Sequence, residues 1–120
     1  MATSPGRALM APTVWYHVSD LDAARRFYRD MLEFEETAVD FGERWSHLQR
    51  GAMRIGLAEG TPSDDGVVAH VDVDDLKAEA DRLRSAGVNV GVVVEIPHGV
   101  MRLLDVYDPD GNRIQLAQEL

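Results

Sequence analysis

The chain is written twice. His17-Val18-Ser19-Asp20-Leu21 and His70-Val71-Asp72-Val73-Asp74-Asp75-Leu76 each close an apolar, β-branched run and open a segment of helical periodicity. Aligning Asp20 with Asp75 sets the copies 55 residues apart, and Arg54-Ile55-Gly56-Leu57-Ala58 meets Arg113-Ile114-Gln115-Leu116-Ala117 at a spacing of 59. A repeat constrains architecture more tightly than local propensity does, because each copy must form the same supersecondary unit and bury a face it cannot bury alone. The halves fall at 12–60 and 66–119, within one domain spanning 12–119; residues 1–11 read as a loose N-terminal tail.

Each half reads strand, helix, then three strands. In the first, Thr13 to Val18 predicts a strand and Asp20 an N-cap, its carboxylate accepting a free amide proton. Leu21, Ala24, Phe27, Tyr28, Met31 and Leu32 then form one helical stripe. Strands follow near 34–40, 44–49 and 52–58. In the second half, Val67 to Val73 predicts a strand, Asp75 a cap, and Leu76, Ala80 and Leu83 a helix that stops at Gly87, a left-handed position. Strands near 88–95, 100–107 and 112–118 follow, the last pair joined by the turn Asp108-Pro109-Asp110-Gly111-Asn112.

Alternation along a strand separates its two faces. Val14, Tyr16, Val18, Leu48, Ile55 and Leu57 go under the first helix; Val67, Ala69, Val71, Val73, Ile114 and Leu116 go under the second. That leaves Thr13, Trp15, His17, Trp45, His47, Gln49, Arg54, Gly56 and Ala58 on the other face of the first half. Val68, His70, Asp72, Arg113, Gln115 and Ala117 share that face in the second. A sheet with helices behind it and aromatic, histidine and charged residues in front predicts a curved cavity.

Acidic residues outnumber basic ones 21 to 12, for a net charge of −9. Such a surface repels phosphate backbones and anionic membranes and attracts cations. The absence of cysteine excludes disulfides, zinc–thiolate sites and thiol nucleophiles. No apolar run approaches the roughly 20 residues needed to span a bilayer, and Ala8-Leu9-Met10-Ala11 is too short for a signal-peptide core. The expectation is a soluble, cytoplasmic domain without nucleic-acid or membrane partners.

The opening HVSDLDAARRFYRDMLEF, the close DPDGNRIQL and the doubled βαβββ order resemble the glyoxalase / bleomycin-resistance / dioxygenase superfamily, also called vicinal oxygen chelate proteins, over about residues 12–118. The resemblance implies an α+β fold of two βαβββ modules whose curved mixed sheets carry helices on the convex side. It also implies, in the metalloenzymes, a divalent ion held at four positions that correspond here to Thr13, Gly56, Val68 and Gln115. Val and Gly offer no donor atom, and Thr and Gln are weak ligands. The expectation is therefore no metal and no cofactor.

Three functional readings follow. The first is a metal-free protein that binds or sequesters a small planar or cationic molecule, an antibiotic among the options, as a homodimer similar to the bleomycin-resistance members. Its Pro97-His98-Gly99 is similar to their Pro-aromatic-Gly. Trp15 and Trp45 would form the walls, with His17, His47, Arg54, His70, Asp72, Arg113 and Gln115 as further ligand contacts. The alternative is an enzyme, a lyase, isomerase or dioxygenase. It would use either a His17–Asp72 acid/base pair, equivalent positions in the two leading strands, or a displaced metal site drawing on His17 and His70 with His47 or Glu59. A third possibility is an interaction domain with a filled barrel.

Overall fold

The computed structural model describes residues 13–62, 68–96 and 99–120. The expected N-terminal tail, Val67 at the head of its strand, and Pro97-His98 lie outside them.

The first module runs β1 (Thr13–Val18), α1 (Leu21–Arg26), β2 (Glu35–Asp40), β3 (Trp45–Arg50) and β4 (Met53–Glu59). Its sheet has the order β1-β4-β3-β2, with β1 parallel to β4 and the other pairs antiparallel. The second module repeats this as β5 (Ala69–Asp72), α2 (Leu76–Ser85), β6 (Asn89–Val90), β7 (Val94–Glu95), β8 (Met101–Tyr107) and β9 (Arg113–Glu119), in the order β5-β9-β8-β6, with β7 also on β8. The α+β class and the doubled βαβββ order stand as expected.

Asp20 and Asp75 cap their helices, accepting from Ala23 N and Ala78 N. α2 ends as its glycine requires: Gly87 has φ +82°, and Val88 N–H donates back to the Leu83 carbonyl at 2.9 Å. The first helix differs. After Arg26 it widens into a π-helical turn over Phe27–Met31, closed by Leu32 N–H to the Phe27 carbonyl. That turn packs Tyr28 fully into the core and carries its hydroxyl to Asp108. Val18, Leu21, Leu32, Ile55 and Leu57 join it in the first module; Val71, Leu76, Leu83, Leu104, Ile114 and Leu116 form the same layer in the second.

The continuous strand expected at 88–95 is instead broken. Asn89–Val90 pairs with Val106–Tyr107, whereas Val94–Glu95 pairs one residue out of that register with Arg102–Leu103. The extra residue is absorbed at a bulge, where Gly91 N–H donates to Asp105 O and Val93 packs against the core. The repeat mate β2 also slips register, between Glu36 and Ala38. Both outer strands are thus kinked, which keeps an exposed edge from templating further pairing.

The modules are stapled through polar groups. Tyr16 OH donates to the Arg113 carbonyl at 2.6 Å and accepts from Ala69 N at 2.7 Å. The Asp108–Asn112 turn docks on the end of β1: Asn112 Nδ2 donates to His17 O, and Ser19 donates to Asp110 through both its amide and its hydroxyl. Within that turn Asp108, 4% exposed, accepts from the Asp110 and Asn112 amides, Asn112 Nδ2 and Tyr28 OH. Burial beside that carboxylate pushes the Tyr28 hydroxyl well above the usual phenol range. The closing motif is therefore a structural clasp. Arg50, which ion-pairs Glu79 of α2 and donates to the Leu32 carbonyl, joins the modules on the other side.

Candidate functional site

Strand register builds the concave face row by row. Across β1, β4 and β3 the rows are Thr13/Arg54/Gln49, Trp15/Gly56/His47 and His17/Ala58/Trp45. The middle strand contributes the small residues Gly56 and Ala58 and the flanking strands the rings, and the Trp15 indole covers the space over Gly56. The His47 ring lies 4.9 Å from Trp15, edge-on at 62°, and 4.9 Å from Trp45, tilted by 40°. Trp15 is 43% exposed, and its six-membered ring rests directly on Gly56. A Cβ at position 56 would lie 2.4–2.6 Å from three indole carbons, so glycine is what lets the indole sit there. His47 Nε2 is buried and has no hydrogen-bond partner.

The second module's concave face carries a polar network at its centre. Its row His70/Gln115/Asp105 crosses β5, β9 and β8. His70 Nδ1 meets Gln115 Oε1 at 3.1 Å, while Asp105 receives Gln115 Nε2 and Arg113 Nη1, each at 3.4 Å. Asp105 was not singled out from the sequence. The alternation of β8, with Leu104 and Val106 buried, would have placed it on this face. A depression of about 170 Å³ lies at the seam of the modules, lined by Arg50, Gly51, Ala52, Met53, His70 and Asp72.

The expected His17–Asp72 pair does not form. Asp72 has its imidazole neighbour within its own strand, His70 Nε2 at 4.0 Å, and is otherwise exposed. The reason is the packing of the leading strands. The His17 carbonyl is fixed at Asn112, whereas Asp72 sits beside Ala117 on β9. Those anchor points, Asn112 just before β9 and Ala117 within it, are five residues apart, about 16 Å at about 3.3 Å per residue. Repeat-equivalent positions thus fall at opposite ends. His17 is exposed, with its ring near Gly60, and Arg54 is half-buried on the Trp15 side.

Glu59, considered above as a displaced ligand, is committed elsewhere: it accepts from the Leu21 amide at 3.0 Å and pairs with Arg44 at 2.9 Å. The Arg44 bond, then the amide, hold its carboxyl down at about 2. Among the described residues no three His, Asp or Glu side chains cluster to hold a metal.

A chain with this repeat and these paired mixed sheets also matches a known family model in its sequence. That model, the Glyoxalase/Bleomycin resistance protein/Dioxygenase superfamily, aligns with residues 12–116. The chain belongs to this superfamily. No curated protein matches it. Among solved structures, TnmS3, an antibiotic binding protein from a Streptomyces species, is 26% identical with a TM-score of 0.75, covering 90% of this chain and 93% of that one. A bleomycin resistance determinant encoded on transposon Tn5 is 22% identical (TM-score 0.72; 90% and 96% covered). Lactoylglutathione lyase from Agrobacterium tumefaciens is 20% identical (TM-score 0.71; 88% and 90% covered). One superfamily fold thus carries binding proteins and enzymes, and function has to be read from the site.

The superfamily's divalent ion does not fit the residues present. Gly56 brings no donor and lies under the Trp15 indole, Val68 brings none, and Gln115 is engaged on both sides by His70 and Asp105.

Proposed function

We propose that this protein is a metal-free small-molecule binding protein that sequesters a planar, neutral-to-cationic organic compound against the Trp15–His47–Trp45 face. The observation that carries this reading is the Trp15 indole lying on Gly56. The position where the superfamily's enzymes would need a ligand atom is instead the floor of an aromatic site. Indole stacking contributes about 0.5–1.5 kcal/mol beyond area burial. A cation over the ring adds about 0.5–2 kcal/mol as the site dries. The net charge of −9 favours the approach of cations. TnmS3, by its description an antibiotic binding protein, supports antibiotics as the compound class to try first.

The protein acts as a homodimer in this account. Trp15, Val92, Val94, Val100 and Leu120 are large apolar side chains at least 43% exposed, more than a lone half-barrel of this size favours. Location in the cytoplasm belongs to the same reading. Among the described residues no helix is long and apolar enough to cross a membrane.

The test is tryptophan fluorescence against glycopeptide, anthraquinone and other aromatic antibiotics. Saturable quenching that Trp15→Ala or Trp45→Ala weakens supports the reading. Emission unmoved by every member of the panel contradicts it.

A further inference from the structure

The His47 imidazole is poised between two indoles, and its Nε2 is buried without a partner. A buried nitrogen with nothing to bond is an energetic debt that most folds avoid. The ring is not needed to fill space alone, since an apolar side chain at position 47 would make the same edge contacts without that cost. We propose that His47 selects the ligand: the site takes a planar aromatic compound carrying a ring hydroxyl, which bonds His47 Nε2. The inference rests on the tryptophan face being the binding surface, as proposed above.

A hydroxyl both donates and accepts, so it completes Nε2 whichever ring nitrogen of a neutral imidazole holds the proton. A carbonyl or an ammonium serves only one of those two states. In this proposal the ligand reaches Nε2 by displacing Trp15, the more exposed of the two indoles. That indole is 43% exposed, touches His47 edge-on and lies over a residue with no side chain. Moving outward, it uncovers His47 and leaves the Gly56 hollow as a floor for the ligand ring, then covers the ligand's outer face. The free energy cost of the unbonded nitrogen weakens the ligand-free arrangement and so favours this exchange.

The experiment compares naphthylmethyl-trimethylammonium, a soluble planar cation, with its 6- and 7-hydroxy derivatives, by NMR titration of wild type and His47→Phe. The two indole N–H signals report stacking, and the His47 ¹⁵Nε2 shift reports the hydrogen bond. In wild type all three compounds should move the indole signals. At least one hydroxy derivative should bind about ten-fold more tightly than the parent, as expected for satisfying a buried polar group, and should shift ¹⁵Nε2. In His47→Phe the preference should vanish while the parent still binds. Indole shifts with no hydroxyl preference, or a preference that survives His47→Phe, overturn the inference and leave the tryptophan face standing. Should the variant not fold, an unmoved wild-type ¹⁵Nε2 overturns it equally. Indole signals unmoved by any of the three overturn both readings.

Discussion

Gly56→Ala is the sharpest perturbation of the site, because a single methyl group tests whether Trp15 lies where the concave face requires. An added Cβ would stand 2.4–2.6 Å from three carbons of the indole, well inside contact distance. The indole is rigid, so it cannot yield by bending; it must leave the glycine or force the strands apart. Overpacking of this kind costs about 1–3 kcal/mol. Replacing a glycine by alanine in an extended strand returns about 0.4–1 kcal/mol by narrowing the unfolded ensemble. A net loss centred near about 1.3 kcal/mol, and no more than about 2.6 kcal/mol, follows. At about 4 °C per kcal/mol for a domain of this size, Tm should drop by about 5 °C and by no more than about 10 °C. Tryptophan emission should also move to longer wavelength as the indole enters water, and antibiotic binding should weaken. Calorimetry and fluorescence read the two effects separately. An unchanged Tm together with unchanged emission would show that Trp15 does not rest on Gly56, and the aromatic floor would have to be abandoned.

Three further outcomes are expected. Tyr28→Phe removes a hydrogen bond to the buried Asp108 carboxylate and should cost about 1.5–3 kcal/mol in urea unfolding. Tyr16→Phe strands the Ala69 amide and should cost about 1–3 kcal/mol, with hydrogen exchange at Ala69 faster than in wild type. The Glu59 carboxyl is held at about 2 in the folded chain, below the unfolded value of about 4.3. Its stabilisation is present above about pH 4.3 and is lost as pH falls toward 2, so the urea midpoint should decline across that window. Glu59→Gln should flatten part of the decline.

The fold was legible because its signals were redundant. Asp20 and Asp75 announced two helix starts, the Arg54 and Arg113 segments announced matching strands, and alternation put Ile55, Leu57, Ile114 and Leu116 in the core, where they are fully buried. Alternation also put Trp15, Trp45 and His47 on one face, but only the register showed Trp15 and His47 flanking Gly56 with Trp45 one row on, beside Ala58. The His17–Asp72 pair failed because equivalence in a repeat fixes which face a residue occupies and not which end of the neighbouring module it meets. The bulge at Gly91 and the π-turn at Phe27 were illegible for a related reason. Each is set by long-range packing, of Val93 on the core and of Tyr28 against Asp108, that no local pattern encodes.

Two measurements bear on assembly and metal content. Light scattering should give twice the 13.3 kDa of one chain, and elemental analysis of protein purified without chelator or tag should find no stoichiometric transition metal. The most direct test of the central claim joins binding and metal in one titration. Tryptophan quenching by an anthraquinone antibiotic that binds is followed in chelator-treated protein, then after adding manganese, zinc or nickel. A metal-free aromatic site gives the same saturable curve in every case, and Trp15→Ala weakens it. Binding that appears only when a divalent ion is restored, and that His17→Ala or His70→Ala abolishes, would contradict the account.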